Sequence, residues 1–193
     1  MKRIGILGDI GSGKSHVANE FGYPVFNADI EVGKLYKKNK KIYNKLKKKL
    51  HKYIRSFPVN KKEISNAVLN NKANLKIIVK IIHPEIRKKL NFFQKKNRNK
   101  EIIILDIPLL LENNINQKKD ILIFVKSKKN EINKRLKKRD NFNIGLLKIF
   151  KNIQYSSNYK KKISNFIIKN NFTKKTVKKE IKNILKKIKK WKK

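Results

Sequence analysis

The stretch Ile4-Gly5-Ile6-Leu7-Gly8-Asp9-Ile10-Gly11-Ser12-Gly13-Lys14-Ser15 decides the fold, because an apolar run that suits a buried strand passes directly into a G-x-x-x-x-G-K-S loop. Val17, Ala18 and Phe21 then recur at helical spacing, so the local order is strand, loop, helix. Gly8, Gly11 and Gly13 let the main chain turn tightly and aim N–H groups inward, and a helix starting near Lys14 adds the positive end of its dipole. With Ser12 completing the loop, this is a nest for a polyphosphate, and the chain is expected to bind a nucleoside triphosphate. Lys14 is placed to reach the β- and γ-phosphates, and the Ser15 hydroxyl suits Mg²⁺, a hard cation that takes oxygen ligands.

A chain of 193 residues can bury one core and is short for two ordinary domains, so substrate regions and lids are expected as excursions from a single domain over residues 1–193. Cysteine is absent, which excludes disulfides, thiolate metal sites and a cysteine nucleophile, and fits a reducing compartment. No apolar stretch approaches the length of a membrane span, and the loop at residue 8 leaves no room for a removable signal peptide. The expected location is cytoplasmic, with no membrane partner.

A formal charge of +40 ordinarily points to nucleic acid or an anionic surface. Its make-up argues otherwise: 47 lysines stand against 6 arginines, although the guanidinium fork is the group favoured for clamping phosphates and reading bases. The lysines are spread over nearly every segment amid abundant Ile and Asn, as a composition bias on solvated positions would leave them. No specific nucleic-acid partner is expected. Two of the arginines, Arg135 and Arg139, are four residues apart on one helical pattern, which would put both guanidinium groups on one face.

Further along, residues 23–26 read as a short strand that ends in Asn27-Ala28-Asp29, so Asp29 stands just past a strand tip, where open α/β sheets place their ligands. An aspartate there also suits a helix N-cap. Residues from about 30 to 98 are mostly helical in pattern, with lysine-rich faces and apolar positions such as Leu46, Leu50, Tyr53 and Ile54, and His83-Pro84 is expected to break that region. Ile102-Ile103-Ile104-Leu105 is a buried parallel strand with Asp106 at its tip, and an acid at that point of a P-loop protein supports Mg²⁺. Residues 121–125 and 166–168 are two more strands, residues 130–139 an exposed helix suited to a lid, and Val177, Ile181, Ile184, Leu185, Ile188 and Trp191 the apolar face of a terminal helix. That helix suits covering the sheet better than lying on an anionic membrane. About five parallel strands with helical crossovers make a three-layer α/β fold.

The ordered set of residues 8–15, Asn27-Ala28-Asp29, Ile82-His83-Pro84-Glu85-Ile86, Pro108-Leu109-Leu110-Leu111-Glu112, Lys134-Arg135 to Arg139-Asp140, Gln154 and Ile167-Ile168-Lys169-Asn170 resembles the dephospho-CoA kinase family over nearly the whole chain. The resemblance implies a P-loop kinase fold with a helical CoA-binding region within about residues 30–98 and a lid at about 128–145. It also implies transfer of the γ-phosphate of ATP, with Mg²⁺, to the ribose 3′-hydroxyl of dephospho-CoA. Asp29 matches the family's proposed catalytic base; Lys14, Arg135 and Arg139 would steady the phosphoryl group; His83, Pro108, Leu109 and Glu112 would lie toward dephospho-CoA. The chemistry agrees, since a hydroxyl acidifies as it attacks phosphorus and a positioned carboxylate can take its proton.

Five positions depart from the family pattern: Asp9 and Phe172 stand where glycine is usual, Asn27 replaces an aspartate, and Ser157 and Lys160 fall where arginines are common. These bear on rate and affinity more than on reaction type. Two other readings stay open on sequence alone, another P-loop small-molecule or nucleotide kinase and a basic nucleic-acid-binding protein that uses ATP as a switch.

Overall fold

Five apolar runs form five strands: β1 (Lys2–Gly8), β2 (Val25–Asn27), β3 (Ile102–Asp106), β4 (Ile121–Lys126) and β5 (Phe166–Lys169). In the computed structural model, which describes residues 1–139 and 142–190, they make one sheet in the order β2-β3-β1-β4-β5. Every pairing is parallel, with Ile4 opposite both Ile104 and Ile121, and Asn27 opposite Asp106. Parallel neighbours cannot be joined by a hairpin, so helices must cross over, and both sheet faces become buried. That accounts for the unbroken burial of Ile102 to Asp106. Asp140 and Trp191 of the sequence reading lie outside the described residues.

The described residues fall into two compact units. The first, comprising Met1–Asn27, Asn97–Phe142 and Lys151–Lys193, holds the whole sheet. There α1 (Lys14–Glu20) and α9 (Lys174–Lys190) cover the strands: Val17, Ala18 and Phe21 join Val177, Ile181, Ile184 and Ile188 around Ile4, Ile6, Ile104 and Ile123. The terminal helix therefore spends its apolar face on the sheet, as its spacing predicts.

The second unit comprises Ala28–Lys96 and Asn143–Phe150. Its helices are α2 (Ala28–Lys38), α3 (Lys40–Lys49), α4 (Lys61–Asn70), α5 (Ala73–Lys96) and the start of α7 (Ile144–Ile153). Asn39 and Asn60 cap α3 and α4, their side-chain oxygens accepting from the N–H groups of Ile42 and Lys62. The expected break at His83-Pro84 does not occur, and α5 runs through it. Proline removes one intrahelical hydrogen bond, but Ile78, Ile82, Ile86 and Leu90 bury one continuous stripe on either side of it, and that burial outweighs the lost bond.

Helix α6 (Lys129–Lys137) also departs from expectation, because it stops before Arg139. Ile132 and Leu136 are its buried residues, and Lys137, Lys138 and Arg139 are all exposed, so none of these three rewards continuing the helix. Arg135 and Arg139 consequently do not share a helical face. Helix α8 (Ser157–Ile163) is capped by the Ser156 hydroxyl, which accepts from Tyr159 N–H.

Candidate active site

The phosphate loop leaves β1 at Gly8 and enters α1 at Lys14, and its shape follows from which groups can approach it. Gly11 and Gly13 both have φ of 85°, the left-handed region that favours glycine. A Cβ on Gly13 would stand 2.4 Å from Asn170 Nδ2, and one on Gly11 would stand 2.9 Å from Leu136 Cγ. The α6 residues Leu136 and Ile132 thus pack directly on the loop. The Ser12 carbonyl is turned into the protein by two donors, Ser127 Oγ and Asn170 Nδ2, each at 2.9 Å.

Val17 N–H bonds Gly13 carbonyl at 3.0 Å, so the N–H groups of residues 14–16 lie in the first turn of α1, where no intrahelical acceptor exists. Such a turn, with its positive dipole end, suits an anion. Lys14 Nζ sits at the loop's mouth, bonded to the carbonyls of Gly8 at 3.2 Å and Asp9 at 2.9 Å. Ser15 is exposed in the same turn.

Asp106 ends β3 and is buried at 3 % exposure, with its Oδ2 accepting from Asn27 Nδ2. An aspartate at position 27 would set two carboxylates face to face; the amide instead donates to Asp106. Ser15 and Asp106 supply a hydroxyl and a carboxylate, an all-oxygen donor set that fits Mg²⁺.

The structure brings residues that the sequence marks separately into two more groups of this unit. Arg135 lays its guanidinium over the Phe172 ring at 4.4 Å, and Phe172 itself has φ of 64° where a glycine would be at ease. Its ring also faces Gly13, 3.1 Å from where a Cβ would be. The second group centres on Lys160, which is 2 % exposed and donates from Nζ to Gln154 Oε1 at 3.0 Å. Its ammonium lies 3.9 Å from Glu112 Oε1, which also accepts from Tyr155 N–H at 2.8 Å. Gln154 Nε2 donates to the Pro108 carbonyl at 3.4 Å, while the Leu109 carbonyl accepts from Asn113 N–H. Burial pushes the Lys160 ammonium below the usual lysine range, against the pull of Glu112 and Asp9. The sequence marks Lys160 only as standing where arginine is common, and its burial is not readable among 47 lysines.

Asp29 and His83 belong to the helical unit. Asp29 is the second residue of α2 and exposed, so it is inside the helix and not at its N-cap. It follows the tip of β2 by two residues. His83 is half-buried on α5, and burial together with the Arg87 guanidinium holds its imidazole below the usual 6.5. Arg139 is exposed beyond α6.

The family model described as dephospho-CoA kinase matches residues 2–176. A dephospho-CoA kinase of Wolbachia from Brugia malayi is 32 % identical over 187 residues, covering 94 % of this chain and 95 % of the relative. One from Bacillus anthracis is 33 % identical over 147 residues, covering 72 % of this chain and 73 % of its own. Among solved structures, a Thermus thermophilus protein aligns with a TM-score of 0.75 at 24 % identity, over 97 % of each chain. Dephospho-CoA kinase from Campylobacter jejuni aligns with 0.63 at 24 % identity, also over 97 % of each. Those two share the fold, and the match in sequence runs from the first strand through the phosphate loop to the start of the last helix. The chain belongs to the dephospho-CoA kinase family.

Proposed function

We propose that the chain transfers the γ-phosphoryl group of ATP to the ribose 3′-hydroxyl of dephospho-CoA, giving coenzyme A and ADP, the last step of coenzyme A synthesis. The observation that carries this is the phosphate loop itself, with the Ser12 carbonyl turned inward by Ser127 and Asn170 and Lys14 Nζ bonded to the loop carbonyls of Gly8 and Asp9. The loop residues Gly8, Gly11, Ser12, Gly13, Lys14 and Ser15 bind the triphosphate. Lys14, with Arg135 and Arg139, meets the charge that spreads over the transferring group, where preorganised donors lower the barrier.

Asp29, exposed in the first turn of α2, takes the proton of the attacking 3′-hydroxyl as the new O–P bond forms and the bond to the ADP oxygen breaks. Ser15 and Asp106 would hold Mg²⁺, which when bound neutralises phosphate charge. His83, Pro108, Leu109 and Glu112 lie toward dephospho-CoA, the turn at 108–112 being steadied through Gln154, Tyr155 and Lys160. The protein works in the cytoplasm without a membrane or a sequence-specific nucleic-acid partner, and no helix is long and apolar enough to cross a membrane among the described residues.

The test is purified protein with ATP, Mg²⁺ and dephospho-CoA beside a panel of nucleosides and sugars. One 3′-phosphorylated product per ADP, with kcat/KM far above every panel member, is expected. Equal or better turnover of another acceptor sinks the assignment.

A further inference from the structure

Asp9 carries a carboxylate inside the phosphate loop, between Gly8 and Gly11. A negative charge there opposes a polyphosphate, and the opposition grows as the site closes and its effective dielectric falls. The main chain at Asp9 is pinned, since its carbonyl accepts from Ser12 N–H at 3.1 Å and from Lys14 Nζ at 2.9 Å. The side-chain rotamer is the freedom that remains. In the structure it is taken up by α8: Oδ1 of Asp9 accepts a short hydrogen bond from Ser157 Oγ. Lys160, three residues further along α8, lies on the same face and is buried, and its charge attracts the Asp9 carboxylate in the same direction.

We propose that Ser157 is a positioning residue for nucleotide binding: with Lys160 behind it, its hydroxyl holds the Asp9 carboxylate on α8 and out of the phosphate nest. The inference rests on ATP binding at the loop. Without the hydroxyl the carboxylate is released toward the anion site, where it repels the incoming phosphates and competes with them for Lys14. The penalty falls on nucleotide affinity and not on the chemical step, because Ser157 touches no reacting atom.

The experiment is a cycle of Ser157→Ala and Asp9→Asn, singly and together, with Ser157→Thr as the conservative variant. Kd for a non-hydrolysable ATP analogue with Mg²⁺ is measured by calorimetry, and kcat and KM for ATP in the transfer assay. Ser157→Ala is expected to raise Kd and KM for ATP about tenfold, with kcat within about twofold. Ser157→Thr keeps the hydroxyl and the wild-type Kd. In the Asp9→Asn background, where no charge has to be held off, Ser157→Ala changes Kd by less than about twofold. Ser157 is exposed, so its truncation leaves the core untouched. Equal penalties in both backgrounds, or none in either, overturn the proposal. Failure of the wild-type protein to bind the analogue at all is a separate result, and it overturns the nucleotide reading beneath it.

Discussion

The phosphate loop carries six of the proposed functional positions and helix α5 one, His83, and the two are built on different grounds. In the loop, single residues answer to single backbone demands: Gly13 meets Asn170, Gly11 meets Leu136, and the Ser12 carbonyl is held by two side chains. In α5 the structure answers to a stripe, and no one residue decides it, so that even Pro84 is absorbed. A motif of fixed spacing therefore locates function in the loop. In the helical unit, spacing locates burial, and function must be found by what the exposed and half-buried positions face.

The sharpest way to break that contrast is Lys14→Ala. The side chain lies at the loop's mouth on the carbonyls of Gly8 and Asp9 and is absent from the sheet core. Phosphoryl transfer is expected to fall by two to three orders of magnitude, the size typical of removing one preorganised charge-stabilising donor. The melting temperature should be unchanged. Turnover near wild type at saturating ATP would remove the loop from the mechanism.

Asp29→Asn asks the same of the helical unit. The variant keeps size and removes the proposed base, so kcat should drop by about two orders of magnitude while KM for both substrates stays within a few fold. A loss confined to KM makes Asp29 an anchor for the ribose.

Legibility followed the same division. The five strands, their parallel pairing and the terminal helix were all readable, because continuous apolar runs and three-to-four spacing have few other solutions. Asp106 was readable as an acid at a strand tip, but its bond to Asn27 depends on β2 and β3 being neighbours in register, a pairing across 79 positions. Lys160 and Ser157 are marked in the sequence as departures from the family pattern, but their contacts could not be read for a like reason. Asp9 and Ser157 are 148 residues apart, and one buried ammonium looks like any other lysine in the chain. Arg3 and Asp120, whose Nε and Oδ1 pair at 2.9 Å within the sheet unit, were missed on the same ground. The two failures of local reading, the break at Pro84 and the shared face of Arg135 and Arg139, have opposite causes. Burial on both sides extended α5, and its lack at residues 137–139 ended α6.

Pro84→Ala tests whether the stripe governs α5. Proline costs about 3 kcal/mol relative to alanine in a helix interior, and Pro84 is exposed, so little packing is lost with its ring. A gain of about 2 kcal/mol in unfolding free energy is expected from denaturant titration. A loss instead would mean that the ring is required where it stands.

The smallest effect concerns His83, where the helical unit's function must show through electrostatics. Burial and the Arg87 guanidinium favour the neutral imidazole, so its folded pKa lies below 6.5. The unfolded chain then binds more protons between those two values, and stability rises with pH through that window; below the folded pKa the contribution is gone. Three histidines make the NMR assignment simple, with His83→Gln identifying the resonance. In the free protein the imidazole should titrate with a midpoint under 6.5, and Arg87→Ala should move it part of the way back, burial remaining. Saturating dephospho-CoA should raise it, because phosphate oxygens within a Debye length favour the imidazolium. A midpoint that ignores dephospho-CoA would take His83 out of the substrate site and leave it as a half-buried residue of the α5 stripe.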